Sequence, residues 1–431
     1  MSSRHKTIGV IGLWHLGCVL CASWSKLGNK VIGFDYDNSL IEKLNKGNTP
    51  LFEPDLSTII QKGISNGLLK FSNDLRLINS CDFIFLAYDT PVRDDDLSDT
   101  TILEKTVSDV RSVMKDNAIL IVSSQSPVGL CRLLRAKLKE KNFSLELAYS
   151  PENLRLGEAI QCYLTPSRII IGTANSRTEK KCRELFSQIQ TNILSMNLES
   201  AEMVKHGINS FLATSIVFAN HLADICEYTN ACVDDVVLGM KSDSRIGEKA
   251  YLSPGIGFSG GTLGRDLRVM NQRNITKNGY AKIFDIIYEL NSERKKSIVS
   301  KLERIVGSIE GSSIGVLGLT YKPNTSTLRR SFPLEIVNLL IEKKSQVKVY
   351  DPKADYSELS FEPKFAIASN IESVSRSIDL LLLLTEWEEF RDYDWKDIPN
   401  QMNRPMFFDA KNFLNRRKMI SLGFKYYSIG G

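Results

Sequence analysis

Lys205 and Asn209 stand four residues apart in the run AEMVKHGINSFLA, residues 201–213, so on a helix they share one face. In dehydrogenases that oxidise an alcohol, a buried lysine can hold the substrate oxygen and shuttle its proton while an amide orients both. A solvated lysine beside a capping asparagine has the same spacing. The run GFSGGTLGRD, residues 257–266, is the second chemistry-bearing stretch. Its Gly257, Gly260, Gly261 and Gly264 let a backbone come close to a ligand. Phe258, Thr262, Arg265 and Asp266 add an aromatic ring, a hydroxyl, a cation and a carboxylate. Near the amino end, GLWHLG places Gly12 and Gly17 at the first and third glycines of a dinucleotide fingerprint, with Trp14 at the middle one and Leu16 beside the last. Gly12 would make the tight turn and Gly17 would allow helix and sheet to pack closely. Asp35 ends the next strand-like run, VIGFD, where an acid accepts from the adenosine ribose and repels a 2′-phosphate, which favours NAD over NADP. A Rossmann domain that had lost its dinucleotide would keep the same glycines.

These residues need a scaffold, and the apolar pattern supplies one. β-rich runs at 7–11, 30–34, 83–87, 118–123, 145–149 and 168–171 alternate with amphipathic stretches such as 40–46 and 101–115. That alternation implies a doubly wound parallel sheet. From 199 to 230 the pattern becomes one long helix, broken only by Gly207, and more helix follows at 280–306. Alternation resumes with 313–318, 346–350, 380–384 and 406–408, and IGVIGL at 8–13 is echoed by IGVLGL at 314–319. Each echo leads to a strand ending in aspartate, Asp35 and Asp351. The fold class is therefore α/β, with two Rossmann-like doubly wound domains joined by a long central helical segment. The expected domains are a dinucleotide-binding one at 1–198, a central helical one at 199–308 carrying the glycine loop, and a second Rossmann-like one at 309–431.

A chain of 431 residues is too long for one ordinary core. An apolar share of 42% and a charged share of 24% describe an ordinary globular protein, and the net charge of +5 is not gathered into a block. Nucleic acid is therefore not expected as a partner, nor is a membrane, since no long apolar stretch precedes the first strand. Eight scattered cysteines form no disulfide framework, so a reducing cytoplasm is expected. Cys18 and Cys21 are a lone C-x-x-C, read as two small apolar residues on one helix face, and no metal is expected.

Taken together, these stretches resemble the UDP-glucose/GDP-mannose dehydrogenase family nearly end to end. The resemblance is carried in order by VSSQSPVG (122–129), AYSPENLRLGEAI (148–160), SRIIIG (167–172), AEMVKHGINSFLA (201–213), SDSRIG (242–247), SPGIGFSGGTLGRD (253–266), GLTYKPNTSTLRRSFP (318–333), VYDPKA (349–354) and LLTEWEEF (383–390). It implies NAD as cofactor, a UDP-sugar or related nucleotide sugar as substrate, oxidation of the C6 hydroxymethyl, and a homodimer built on the central helix. It assigns Glu152 as general acid/base, Lys205 and Asn209 to the developing oxyanion, and Asp266 to water activation. It gives Ser124 and Arg265 cofactor contacts. It sets Phe258, Gly260, Gly261 and Lys322 against the sugar nucleotide, with Arg245 reaching the nucleotide of the neighbouring subunit.

One departure matters most. The family's glycine loop carries a cysteine whose thiolate takes the sugar aldehyde through a thioester, and Thr262 stands at that position here. A threonine hydroxyl is a far weaker nucleophile at neutral pH, and its β-branch restricts approach. The family's Ser-Thr pair before the 127-Pro turn has become Ser124-Gln125, and Ser326 replaces an acid. Three outcomes stay open: a single hydride transfer, a four-electron oxidation through the hydrated aldehyde, or a binding relative without turnover. A 3-hydroxyacid dehydrogenase also carries Lys and Asn four apart on a helix, but it lacks a second Rossmann-like domain.

Overall fold

The computed structural model describes residues 5–88, 99–140, 144–151, 154–271, 282–360 and 362–431. The chain packs into two compact units, Met1–Gly207 and Ile208–Gly431.

The first unit is built on strands β1 (Thr7–Ile11), β2 (Lys30–Phe34), β3 (Leu69–Ser72), β4 (Phe83–Leu86), β5 (Ile119–Val122), β6 (Glu146–Tyr149), β7 (Ile169–Thr173) and β8 (Ile193–Met196). Between them run α1 (His15–Lys26), α2 (Asn38–Asn45), α3 (Leu56–Ser65), α4 (Thr101–Val110), α5 (Leu130–Lys139), α6 (Ala159–Leu164) and α7 (Ser176–Phe186). β4 (FIFL) and β5 (ILIV) are apolar and buried at every position, because helices cover both faces of a parallel sheet. The strand order is β3-β2-β1-β4-β5-β6-β7-β8, so its first six strands follow the dinucleotide-binding order. One pairing departs from the expected parallel sheet. β7 runs antiparallel to β6, with Tyr149 opposite Gly172. Among its described residues the connection between them holds only the six-residue α6, and the chain re-enters the sheet at the end it has just left instead of crossing over.

Helix α8 (Leu198–Thr229) is 32 residues long and contains the boundary between the units. Gly207 does not interrupt it. The second unit continues with α9 (Val233–Ser242), α10 (Thr262–Met270) and α11 (Lys282–Val306). Its sheet comprises β9 (Ser313–Leu317), β10 (Gln346–Tyr350), β11 (Ala366–Ile367), β12 (Leu380–Leu383), β13 (Met406–Asp409) and β14 (Lys425–Ser428), with α12 (Phe332–Glu342) after β9. The order is β11-β10-β9-β12-β13-β14, parallel throughout, which repeats the order of the first unit's first six strands. The Ser331 hydroxyl caps α12 at Leu334 N with Pro333 in the first turn, a start that sequence alone encodes.

The two sheets also share their first turn. Gly12 and Gly318 both take positive φ, 90° and 86°. Each donates its N–H to the end of the neighbouring strand, at Phe34 O and Tyr350 O.

Candidate functional site

At the amino-terminal turn, glycine is demanded by space. A Cβ on Gly12 would lie 2.8 Å from the Tyr88 ring, and one on Gly17 would lie 1.8 Å from Gly12 O. The turn is therefore pressed against its own helix, which is the close packing a dinucleotide fingerprint needs. Trp14 is the N-cap of α1, gives no side-chain cap bond, and keeps 48% of its surface in solvent. Its ring is thus outside the core, and the first N–H groups of α1 are not capped by it, which suits a pyrophosphate. The Leu16 side chain is buried, so Leu16 would meet a phosphate through its backbone N–H.

The two terminal aspartates differ in use. Asp35 is half-buried and accepts from Leu13 N (2.8 Å) and Asp37 N (3.1 Å). Asp351 is buried and accepts from Leu319 N, Thr320 N, the Thr320 hydroxyl, Trp387 Nε1, Lys353 N and Ala354 N. A carboxylate has about four lone-pair positions. Asp351 is consumed by the protein, whereas Asp35 keeps capacity for ribose hydroxyls, so the residues of the first unit fit NAD.

Ser124, expected at the cofactor, is buried and turns its hydroxyl to Leu86 O (3.3 Å). The turn it begins is held by α8. Glu202, fully buried, accepts from Gly129 N and from Cys131 N (2.8 Å) at the start of α5. Burial pushes its carboxyl above the ordinary glutamate value even though those N–H groups favour the anion. His206 Nε2 meets Ser126 O at 2.9 Å. Lys205 lies between these two anchors, 8% exposed.

One turn along α8, Asn209 is 7% exposed and donates its amide to the Asp266 carboxylate, which is fully buried. Arg265 Nε lies 4.0 Å from the same carboxylate. Asn209, Arg265 and Asp266 are thus brought together. Thr262 is exposed as the first residue of α10, following Gly261 as N-cap. Glu152 lies outside the described residues.

The glycine loop is gripped by side chains that the sequence reading did not single out. Asn291 of α11 accepts from Phe258 N and donates to Phe258 O, both at 2.9 Å. Asn220 of α8 accepts from Gly255 N (2.7 Å), and Arg294 Nε donates to Gly255 O (3.0 Å). The Phe258 ring itself is buried with Ala213, Val217, Leu267 and Ile287. Gly260 (φ 81°) donates to Arg330 O (2.9 Å), and a Cβ there would lie 3.2 Å from the Tyr321 ring. At Gly261 a Cβ would have ordinary room. Lys322 is half-buried with its ammonium 5.7 Å from the Tyr321 ring centre. Arg245 is exposed and pairs with Asp243 at 2.7 Å. The asparagine and arginine of α11 had a visible signal: 287, 291, 294 and 298 follow one another along its buried face, and two of those four are polar.

Family models match along most of the chain. Residues 6–190 match the NAD binding domain of the UDP-glucose/GDP-mannose dehydrogenase family, 199–293 its central domain, and 315–416 its UDP binding domain. A UDP-glucose 6-dehydrogenase of Rickettsia typhi is 33% identical, covering 98% of this chain and 99% of its own. The UDP-glucose 6-dehydrogenase TuaD of Bacillus subtilis is also 33% identical, covering 99% and 93%. Among solved structures, a UDP-glucose dehydrogenase from the archaeon Pyrobaculum islandicum superposes with a TM-score of 0.89 at 25% identity, covering 100% of this chain and 98% of that one. This chain belongs to the UDP-glucose/GDP-mannose dehydrogenase family.

Proposed function

We propose that this protein is an NAD-dependent dehydrogenase that oxidises the C6 hydroxymethyl of a UDP-hexose without a cysteine thioester. The observation that carries the reading is the buried group on α8 and α10. Lys205 and Asn209 share one face, and the Asn209 amide is fixed by Asp266. NAD, held by the Gly12–Gly17 turn and Asp35, supplies the hydride acceptor. Lys205 holds the C6 oxygen and takes its proton as the alcohol becomes an aldehyde, and Asn209 stabilises the charge that develops there. Glu152 is the acid/base that relays protons to solvent. In this reading Ser124 and Arg265 serve the cofactor, and Lys322, Gly260 and Gly261 serve the sugar nucleotide.

Thr262 sets how far the reaction goes. The first step converts R–CH2OH and NAD+ to R–CHO, NADH and a proton. A second needs the aldehyde as its hydrate, R–CH(OH)2, which with another NAD+ becomes R–COOH, NADH and a proton. Asp266, helped by Lys205, is the group this reading assigns to activating the water. Its carboxylate is fully buried and committed to Asn209, which favours release of the aldehyde after one hydride transfer. Counting NADH formed per UDP-sugar consumed tests this. One supports the reading, two requires the hydrate route, and none under saturating NAD and UDP-glucose overturns the dehydrogenase reading.

The protein acts as a homodimer in the cytoplasm. Phe211, Phe218 and Ile225 repeat every seven residues on α8 and are 69%, 50% and 58% exposed. A second copy would cover that stripe and bring Arg245 to its neighbour's nucleotide. All eight cysteines are free thiols, which suits a reducing compartment.

A further inference from the structure

One buried carboxylate in the first unit belongs to neither the cofactor turn nor the reacting group, yet it binds the helix that follows that turn and a segment that follows Glu152 in sequence. Glu53 lies between α2 and α3 and is 4% exposed. Its Oε1 accepts from Ala159 N (2.8 Å), and its Oε2 accepts from Gly157 N (3.0 Å) and meets His15 Nε2 at 2.9 Å. The first two donors belong to the end of the β6–α6 loop and the start of α6. The third belongs to the first residue of α1.

Capping alone does not account for this arrangement. The N-cap of α6 is Glu158, and its side chain makes no cap bond. A serine or aspartate at 158 would cap Ile160 N or Gln161 N and leave Gly157 N and Ala159 N unmet. Instead the cap comes from a residue 106 positions away, and it carries the desolvation cost of a buried carboxylate, which is tolerated only with strong partners. Gly157 has φ 87°, so the loop adopts a turn that a side chain would strain. His15 turns its ring inward to Glu53, whereas its neighbour Trp14 faces solvent.

We propose that Glu53 is a positioning residue that latches the β6–α6 loop to the first turn of α1. The Gly157–Ala159 segment and the turn that receives the cofactor's pyrophosphate then move as one piece. This rests on the function proposed above for its link to Glu152 and NAD; the latch itself is a property of the protein alone. Cofactor binding at α1 is thereby felt at Gly157 and Ala159, which lie beyond the acid/base position in sequence.

Hydrogen exchange followed by mass spectrometry on the full chain reads the latch directly. In the unmodified protein, peptides covering 154–164 and 12–20 are expected to exchange slowly, and NADH is expected to slow both further. In Glu53→Gln, exchange at 154–164 should rise by about tenfold, and NADH should protect only 12–20. His15→Phe keeps the cap but removes the tie, so it should keep basal protection at 154–164 and lose the NADH-dependent part. It also decides the matter if Glu53→Gln does not fold. In turnover, both variants should lose kcat by about tenfold with the NADH dissociation constant changed less than about threefold. The latch is overturned if either variant keeps the NADH-dependent protection at 154–164, or if the unmodified protein binds NADH without showing it. If the unmodified protein binds no NADH in a fluorescence titration, the cofactor reading fails instead. The latch is then judged on the cofactor-free exchange, where an unchanged rate at 154–164 in Glu53→Gln overturns it.

Discussion

Replacing Asn291 tests how the glycine loop is held. Its amide makes two 2.9 Å bonds to one residue, accepting from Phe258 N and donating to Phe258 O. Asn291 is 4% exposed and Phe258 is also buried, so water does not replace a lost partner without cost. Asn291→Ala strands one N–H and one C=O, each worth about 1–3 kcal/mol when buried and unpaired. The carbonyl tolerates this better than the N–H, and the truncated side chain leaves room for water, so about 2–3 kcal/mol is the expected loss. Asn291→Asp keeps the acceptor for Phe258 N but sets a carboxylate oxygen against Phe258 O. Burial and that carbonyl both favour the protonated acid, so its folded pKa lies above its unfolded one. Stability missing at neutral pH then returns as pH falls through the folded pKa, because the protonated carboxyl donates to Phe258 O. Urea unfolding from pH 7 to pH 5, beside the unmodified protein, measures both effects. Because Gly257 packs within 2.6 Å of Asn291 Oδ1, counted from the Cβ that it lacks, the loop should loosen as well. The KM for UDP-glucose should then rise about tenfold, the equivalent of about 1.4 kcal/mol. The reasoning fails if Asn291→Ala costs under about 0.5 kcal/mol with KM unchanged, or if Asn291→Asp gains nothing on acidification relative to the unmodified protein.

Other perturbations have equally direct readings. Gly17→Ala drives a methyl to 1.8 Å from Gly12 O, which only a backbone shift relieves, so NADH titration should show binding lost. Asp224 joins Arg294 at 2.6 Å and Lys301 at 2.7 Å. Burial raises its carboxyl, but the two cations outweigh that and hold it below the ordinary aspartate value. Its contribution is therefore present above the unfolded pKa and lost as pH falls through the lower folded one. Asp224→Asn should cost about 2–3 kcal/mol at pH 7, less than a fully buried pair because a quarter of the side chain is exposed. The difference should shrink in urea unfolding at the acid limit.

Much of the fold is legible because burial on both faces leaves a simple trace. β4, β5 and β12 are unbroken apolar runs, and the glycine-aspartate signature of the first turn occurs twice. Strands β3 and β11, LKFS and AI, are short edge strands that lack such a run. Nothing in their composition separates them from loop, and only pairing with β2 and β10 makes them strands. The antiparallel β7 was equally hidden, because IIIGT reads the same in either direction of pairing.

The site divides along the same physical line. Motifs mark the residues to which the proposed function gives a ligand: Gly12, Gly17, Asp35, Lys205, Asn209 and Asp266. They do not mark the residues that hold those in place, because support requires only a polar atom at the right point in space, whatever its distance in sequence. Glu53 reaches residues 104 and 106 positions away, Glu202 reaches back 71 to Cys131, and Asn291 reaches back 33. Each is a buried polar side chain that meets backbone groups of a loop or of the helix start that follows it, a costly arrangement unless the chain's exact path there matters. The Asp35 and Asp351 pair makes the same point from the opposite side. Identical positions in two repeats of one fold diverge because one carboxylate is saturated by its own chain and the other keeps room for a ribose. Ligand specificity in this chain therefore depends on which polar groups the fold leaves unspent, and that is decided by packing, not by motif.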